Sequence, residues 1–220
     1  MSVLNENTII GASAGGDYEI EQSLRFDDGA YLSRTPSTAS NRRTWTWSGW
    51  VKLNGAGNRA LFSANNPSSA GHIIRVYTNQ LSILGYNGGW SYQLRTDRLF
   101  RDPSAWYHIV AAIDTTQSTA SNRVKMYVNG EQVTSFSAET YPSQNFDTFV
   151  NSTNEHYLGV NNEGGLADYL DGYLAEVNFI DGLALTPDSF GETGDYGEWK
   201  PIAYDGAYGT NGFYLPFKQD

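Results

Sequence analysis

The sequence contains no cysteine among its 220 residues, so it can form neither a disulfide framework nor a thiolate metal site. No stretch approaches the ~20 consecutive apolar residues of a membrane-spanning helix, and membrane insertion is therefore not expected. Lys and Arg number only 14 against 24 Asp and Glu, and no basic cluster occurs. This balance argues against nucleic acid and anionic membrane surfaces as partners. The opening MSVLNENTIIGASAGG lacks the basic and apolar regions of a classical signal peptide.

The chain is instead rich in aromatic residues and glycine. Fifteen Tyr and six Trp contribute to an aromatic content of 14%, Gly totals 23, and charged residues make up only 17%. Aromatic side chains fill half-buried pleated surfaces, and glycine supplies the turns between short strands. Long helices would need more Ala, Glu, Lys and Leu. The composition therefore predicts an all-β sandwich domain that is large enough to bury a core.

Alternation with a period of two marks several strands. In TWTWSGWVKL the residues that share one face are Trp45, Trp47, Gly49, Val51 and Leu53. Residues 105–114 are apolar at nearly every position, as expected of a strand that is buried on both faces. Hairpins are predicted about Thr78–Gln80 and at Asn129–Gly130. The chain has room for at most one short helix, near 187–191, which Pro187 would open.

Six segments carry a resemblance to a known family. They are, in order, SLRFDDGAYLSR, TWTWSGWVK, AWYHIVAAID, RVKMYVNGEQV, HYLGV and DGYLAEVNFIDGLALTPDSF. Together they resemble the successive strands of a concanavalin A-like, laminin-G-type jelly roll, over residues 23–191. The resemblance implies an all-β, two-sheet antiparallel jelly-roll sandwich. It divides the chain into an N-terminal arm (1–16), the jelly-roll domain (17–195) and a Tyr/Gly-rich tail (196–220), where FYLPF is a candidate last strand.

The two ends of the chain add a more specific resemblance. NENTIIGASA…YEIEQSLRF and EWKPIAYDGAYGTNGFYLPF look like the ends of laminin-G-type virion proteins of tailed bacteriophages. This resemblance implies a non-enzymatic, homo-oligomeric structural protein on the surface of the phage particle. It would be a capsid decoration or fibre component whose arm docks on other virion proteins of the capsid or tail. The alternative is a tail-associated adhesin that binds host surface carbohydrate through the rim of the jelly roll.

A glycan-cleaving enzyme is the third and least favoured alternative. Some glucanases with this fold place carboxylates at alternate positions of one strand, where one attacks and another protonates. In AEVNFID the positions on the face of Glu176 are Asn178 and Ile180, which are not acidic, and Asp181 faces the other way. No catalytic residues are therefore predicted.

Three histidines are candidates for metal ligands by residue type. They are His72, His108 and His156. They lie on three separate predicted strands and lack the spacing of a local metal motif, so ordinary strand positions are the favoured interpretation.

An aromatic cluster is the first candidate ligand site, because laminin-G-like and lectin-like sandwiches often bind carbohydrate at their rim. Tyr86, Trp90 and Tyr92 in GYNGGWSYQ are the residues that could stack on a sugar ring. The glycines before Trp90 would let its side chain stand clear of the backbone. The alternative is that Trp90 packs inside the sandwich.

The second candidate site is a loop rich in oxygen ligands, and Ca²⁺ is the one cofactor that the sequence suggests. Its candidate ligands in GVNNEGGLADYLDG are Asn161, Glu163, Asp168 and Asp171. The alternative is an ordinary loop, since Asp171–Gly172 is also a common turn pair.

Overall fold

The computed structural model describes residues 18–55, 57–66 and 70–218. The described part of the chain forms eighteen strands and two short 3-10 turns, Ala120–Asn122 and Pro187–Ser189. The strands are β1 (Leu24–Asp27), β2 (Leu32–Arg34), β3 (Thr44–Leu53), β4 (Arg59–Asn66), β5 (Ala70–Tyr77), β6 (Gln80–Asn87), β7 (Trp90–Leu99), β8 (Tyr107–Asp114), β9 (Val124–Val128), β10 (Glu131–Gln132), β11 (Phe136–Thr140), β12 (Glu155–Leu158), β13 (Asn161–Asn162), β14 (Leu166–Ala167), β15 (Asp171–Asp181), β16 (Gly191–Thr193), β17 (Trp199–Pro201) and β18 (Phe213–Leu215). Within the described ranges, no helix is long and apolar enough to cross a membrane. The predicted N-terminal arm, residues 1–16, lies outside the described residues.

Two seven-stranded antiparallel sheets make up the body of the fold. Sheet I has the order β1-β15-β3-β8-β9-β10, and β18 also pairs with β15. Sheet II has the order β11-β7-β6-β5-β4-β12-β2. Two further pairs, β13-β14 and β16-β17, lie outside these sheets. This architecture confirms the predicted two-sheet jelly-roll sandwich. One 3-10 turn, Pro187–Ser189, lies where the single short helix was predicted, and the turn at Ala120–Asn122 was not predicted.

The core lies between the two sheets and is built around aromatic side chains. Trp45 and Trp47 of β3 are fully buried, as the alternation predicted. The Trp45 ring packs against Phe62 of sheet II at 6.4 Å and against Phe179 of sheet I at 6.1 Å. Buried aromatic rings each remove ~150–250 Å² from water, so a few such contacts hold the two sheets together.

The outer face of sheet I is covered as well. On that face Val110 and Ala112 of β8 form a buried cluster with Phe190, against which Tyr204 and Tyr208 pack. The first seven residues of β8 are all buried. The prediction that this strand is buried on both faces is therefore confirmed, and the C-terminal part of the chain supplies the second cover.

The segment predicted as a tail packs as part of the sandwich. β17 pairs with β16, and β18 pairs with β15, which confirms the last strand predicted in FYLPF. The Trp199 indole donates a 3.0 Å hydrogen bond to Nδ1 of His108 and stacks on that imidazole. Its ring fits closely over Gly130 and Gly191, where a Cβ atom would collide with it. Trp199 therefore fastens the C-terminal segment to sheet I.

Both predicted hairpins are present. Thr78 and Asn79 connect β5 to β6 with φ angles of 49° and 66°. Asn129 and Gly130 connect β9 to β10 with φ angles of 50° and 82°. Two consecutive positive φ angles match the right-handed twist of the flanking strands, which is why Asn and Gly favour such turns.

We predict that Trp199→Ala lowers the free energy of unfolding by about 2–4 kcal/mol, because it removes the indole that covers His108 and two glycines. Urea unfolding followed by circular dichroism measures this change. The control is Tyr196→Ala, since Tyr196 is 96% exposed and its removal should cost less than about 0.5 kcal/mol. Equal effects of the two substitutions would show that Trp199 does not fasten the segment.

Candidate functional site

An exposed aromatic pair lies at one end of the β6–β7 hairpin. Trp90 is 59% exposed, and Tyr86 lies opposite it in the register of the two strands. Their rings meet edge to face at 5.6 Å. The turn between them passes through Gly88, at a φ of 67°, and this lets Trp90 stand clear of the strand end. The Tyr86–Trp90 pair thus offers aromatic surface to a ligand.

Tyr92 is not part of that surface, and the prediction for it is corrected. Its side chain is 1% exposed, and its hydroxyl group is hydrogen-bonded to Nδ1 of His72 in the core. The pairing of β6 with β7 shifts between Gly85 and Tyr86, which places Gly85 opposite Tyr92. The Tyr92 ring occupies the space that a Cβ atom of Gly85 would need. Trp90 and Tyr92 therefore have different environments although they alternate in sequence.

The loop of β13 and β14 lies on the same outer face of sheet II as the aromatic pair. Gly71 of β5 is flanked by Asn65 on one side and Tyr86 on the other. The Asn65 side chain lies over Gly71, and its amide meets the amide of Asn161 at 2.6 Å. These residues form a row that joins the two predicted clusters. The row runs from Asn161 through Asn65, Gly71 and Tyr86 to Trp90, and we call it the upper row.

The four predicted calcium ligands are not gathered around one point. Asp168 forms a 2.9 Å ion pair with Arg75, and Asp171 forms a 2.8 Å ion pair with Arg25. Asn161 is buried against Asn65. In the described ranges, no three His, Cys, Asp or Glu side chains are placed to hold one metal ion. A Ca²⁺ ion at this loop would have to compete with two arginines, and calcium binding stays a prediction.

A second row, which we call the arginine row, crosses the centre of the same outer face. Ala60, Arg75, Ser82 and Arg95 lie opposite one another on β4, β5, β6 and β7. The guanidinium groups of both arginines lie over the ring of Tyr77, at 4.5 Å and 4.9 Å from its centre. Cations are attracted to the face of an aromatic ring, so Tyr77 holds the two arginines beside each other.

Sequence reasoning missed the arginine row. Alternation along HIIRVY and WSYQLRT places Arg75 on the face of Tyr77, and Arg95 on that of Gln93. The signal for shared faces was therefore present within each strand. Which strands are neighbours, and in which register, cannot be read from that alternation.

The three histidines are buried in hydrogen-bonded positions. Burial lowers the pKa of His72 and of His108 to about 3, and that of His156 to about 4. His108 accepts from Trp199 at one nitrogen and contacts Ser48 Oγ at the other, 2.9 Å away. His156 accepts from the backbone N–H of Asn151. These environments hold neutral imidazoles, in line with the interpretation that they are ordinary strand residues.

Glu176 is the carboxylate nearest to the glucanase pattern, and it is enclosed by tyrosines. It is buried at a β-bulge of β15, where it accepts hydrogen bonds from Tyr18 at 2.5 Å and Tyr214 at 2.6 Å. Burial and this carboxylate raise the pKa of Tyr18 to about 12. Asn178 accepts from Tyr208. The cluster thus holds one carboxylate among phenols, without the second acid that glycoside hydrolysis uses.

A family model matches residues 26–189, well over half of the chain. It is a laminin-G-type model described as the concanavalin A-like lectin/glucanases superfamily. No curated protein matches the chain.

Solved structures give a consistent comparison. A heptameric SAP-like pentraxin from Limulus polyphemus has a TM-score of 0.56 and 14% identity, over 77% of this chain and 80% of its own. Domain 4 of AbnA, an extracellular arabinanase from Geobacillus stearothermophilus solved with arabinotriose, has a TM-score of 0.57 and 20% identity, over 79% and 76%. The CBM40 of Ruminococcus gnavus IT-sialidase, bound to α2,3 sialyllactose, has a TM-score of 0.53 and 14% identity, over 70% and 86%. The TM-scores show that the fold is shared, and at identities this low they show nothing beyond the fold.

We predict that none of the three histidines titrates between about pH 7.5 and pH 5, because burial lowers each pKa below that range. Proton NMR of the imidazole C–H signals measures this directly. In the unfolded chain the histidines take up protons as the pH falls below about 6.5, which favours the unfolded state. Each histidine should therefore lower the free energy of unfolding by about 2 kcal/mol at pH 5. A histidine midpoint above pH 6 in the folded protein would contradict the buried, neutral assignment.

For calcium, we expect no change in melting temperature when millimolar Ca²⁺ is added to chelator-treated protein. The physical reason is that Arg75 and Arg25 already neutralise Asp168 and Asp171. Differential scanning fluorimetry measures the effect, with Mg²⁺ as the control ion. A rise with Ca²⁺ alone would confirm calcium binding, since an ion that binds the folded state raises its stability.

Proposed function

Because this chain belongs to the concanavalin A-like lectin/glucanase superfamily through its laminin-G-type domain, we propose that it is a non-catalytic module that binds carbohydrate. The observation that carries the proposal is the exposed Tyr86–Trp90 pair at the end of the upper row. Sugar rings have apolar C–H faces that pack on aromatic rings, and their hydroxyl groups need hydrogen-bonding partners beside that surface.

Hydrogen-bonding groups lie near that surface. Asn65 and Asn161 are buried and hydrogen-bond each other at 2.6 Å, so they shape the row and do not face a ligand. Asn162 extends the row; it is half-buried and donates to the hydroxyl of Tyr157 at 2.7 Å. A side-chain amide can donate and accept, so Asn162 is the member of the row best placed to bond a sugar hydroxyl beside the aromatic pair.

The comparisons support this proposal through the ligands with which similar domains were solved. Two of the similar domains were solved with arabinotriose and with sialyllactose, and both are parts of larger glycan-processing enzymes. One is named as Domain 4 of an arabinanase and the other as the CBM40 of a sialidase. A binding role for the present domain agrees with that pattern.

A catalytic role has less support. Retaining and inverting glycosidases use two carboxyl groups about 5–9.5 Å apart across the scissile bond. On the outer face of sheet II, Asp168 is held by Arg75. Glu176 lies on sheet I and accepts hydrogen bonds from two tyrosines. The proposal is therefore a binding module, with the glycan-cleaving enzyme kept as the weaker alternative.

The place of action is proposed from the ends of the sequence. Their resemblance to virion proteins of tailed bacteriophages supports a position on the surface of a phage particle, as part of a homo-oligomer. With a carbohydrate-binding face, the tail-associated adhesin for host glycan is the favoured role there. A capsid decoration or fibre component that docks through residues 1–16 is the second role, and those residues lie outside the described ones.

We predict that Trp90→Ala weakens glycan binding at least tenfold, because loss of a stacked aromatic surface removes about 1.5–3 kcal/mol of apolar burial. The measurement is binding of purified protein to immobilised host and plant glycans, followed by calorimetry on those that bind. The matched control is Trp106→Ala, which removes an exposed tryptophan that packs near Tyr173 of sheet I. Unchanged binding by the Trp90 variant would contradict the proposed site.

A further inference from the structure

The arginine row and the neighbouring Gln93 contain buried polar atoms that lack hydrogen-bond partners. They are Arg75 Nε, Ser82 Oγ, Gln93 Nε2 and Arg95 Nε, none of which has a partner in the part of the chain that the structure describes. Buried polar groups in native proteins are almost always paired, so four such atoms on one sheet face require an explanation. All four can donate a hydrogen bond. A group that pairs with these atoms as donors must accept hydrogen bonds.

The four atoms are close neighbours in the sheet. Ser82 lies between Arg75 and Arg95 in the register, so these three side chains share one row. Gln93 lies on β7 opposite Leu84, one step along the same face. Ser82 is fully buried and Arg75 nearly so, whereas Arg95 is half-buried, so a ligand group would reach this cluster at Arg95.

Charge distinguishes the two arginines. Arg75 is paired with Asp168 and is 9% exposed, so its charge is neutralised and its position is held. Arg95 forms no ion pair within the described ranges, and its guanidinium rests on Tyr77. Arg95 is placed to receive an anion from outside.

The arginine row and the Tyr86–Trp90 pair lie on the same strands. From Ser82 to Tyr86 the distance along β6 is about 13 Å, at ~3.3 Å per residue. A short oligosaccharide can span this distance. One end of it would stack on Trp90 while the other reaches Arg95.

We propose that this face selects acidic glycans, in which a sugar carboxylate binds at Arg95 while a neighbouring ring stacks on Trp90. The inference deepens the proposed carbohydrate binding and rests on it. A carboxylate is planar and accepts two parallel hydrogen bonds from a guanidinium fork, so it suits arginine better than a neutral hydroxyl does. Arg75 acts as a positioning residue, since Asp168 and Tyr77 hold it beside Arg95.

The test uses matched pairs of acidic and neutral glycans. The probes are 3′-sialyllactose with lactose, and oligogalacturonate with its carboxyl-reduced form. Calorimetry at low salt should show at least tenfold tighter binding to the acidic member of at least one pair. That advantage should shrink as salt is raised, because an exposed charge interaction is screened.

Arg95→Gln should abolish the preference for the acidic member and leave binding of a neutral ring at Trp90 detectable. The matched control is Arg98→Gln, which lies on the same strand and also rests on an aromatic ring, that of Phe100 at 5.3 Å. Melting temperatures of both variants show whether each remains folded. If Arg95→Gln does not fold, Arg95→Lys replaces it, because it keeps the charge without the bidentate fork and should reduce the preference.

The outcomes separate the two proposals. If wild-type protein binds both members of every pair equally, or binds only neutral glycans, the acidic selectivity is overturned while carbohydrate binding stands. A preference that survives in Arg95→Gln would also overturn it. If the protein binds none of these probes and none of the immobilised glycans, carbohydrate binding itself is wrong.

Discussion

The packing of the C-terminal segment against sheet I is the constraint on which the rest of the structure depends. Trp199 covers His108 and two glycines, and Phe190 buries the outer side of β8. β8 is thereby covered on both faces, and its burial keeps the imidazole of His108 neutral. This cover on part of sheet I is one reason why the outer side of sheet II is proposed as the ligand-binding face.

The two sheets consequently differ in what their outer faces carry. Sheet I presents alanine, valine and aromatic side chains to the chain's own segment. Sheet II presents asparagines, arginines, Tyr77 and Tyr86 around a small buried apolar cluster of Ala60, Ile73 and Leu84. The hydrophobic effect explains the first arrangement without any appeal to function. The arrangement on sheet II leaves hydrogen-bond donors without protein partners, which lowers stability. Such a loss of stability is common at ligand-binding sites.

Much of the fold could be predicted from sequence because the determining signals are local. Alternation in β3 and the Asn129–Gly130 turn each depend on a few adjacent residues. The separation of Trp90 from Tyr92 could not be predicted, since it follows from a register shift against β6. The ion pair of Asp168 could not be predicted either, because its partner Arg75 lies far away in the chain. The arginine row is formed by four strands at once, and no single segment contains that information.

The pairing of β1 with β15 has a consequence for folding kinetics. Leu24 of β1 lies opposite Leu174 of β15, and Ser33 of β2 lies opposite Tyr157 of β12. Both early strands therefore pair with strands that come much later in the chain. Closing such long loops costs entropy before any contact repays it, and proteins with this topology fold in milliseconds to seconds. During that interval the tryptophan-rich strand β3 has no neighbour on one side. Refolding at high concentration should therefore compete with aggregation, whereas the finished sandwich buries the same strand between β8 and β15.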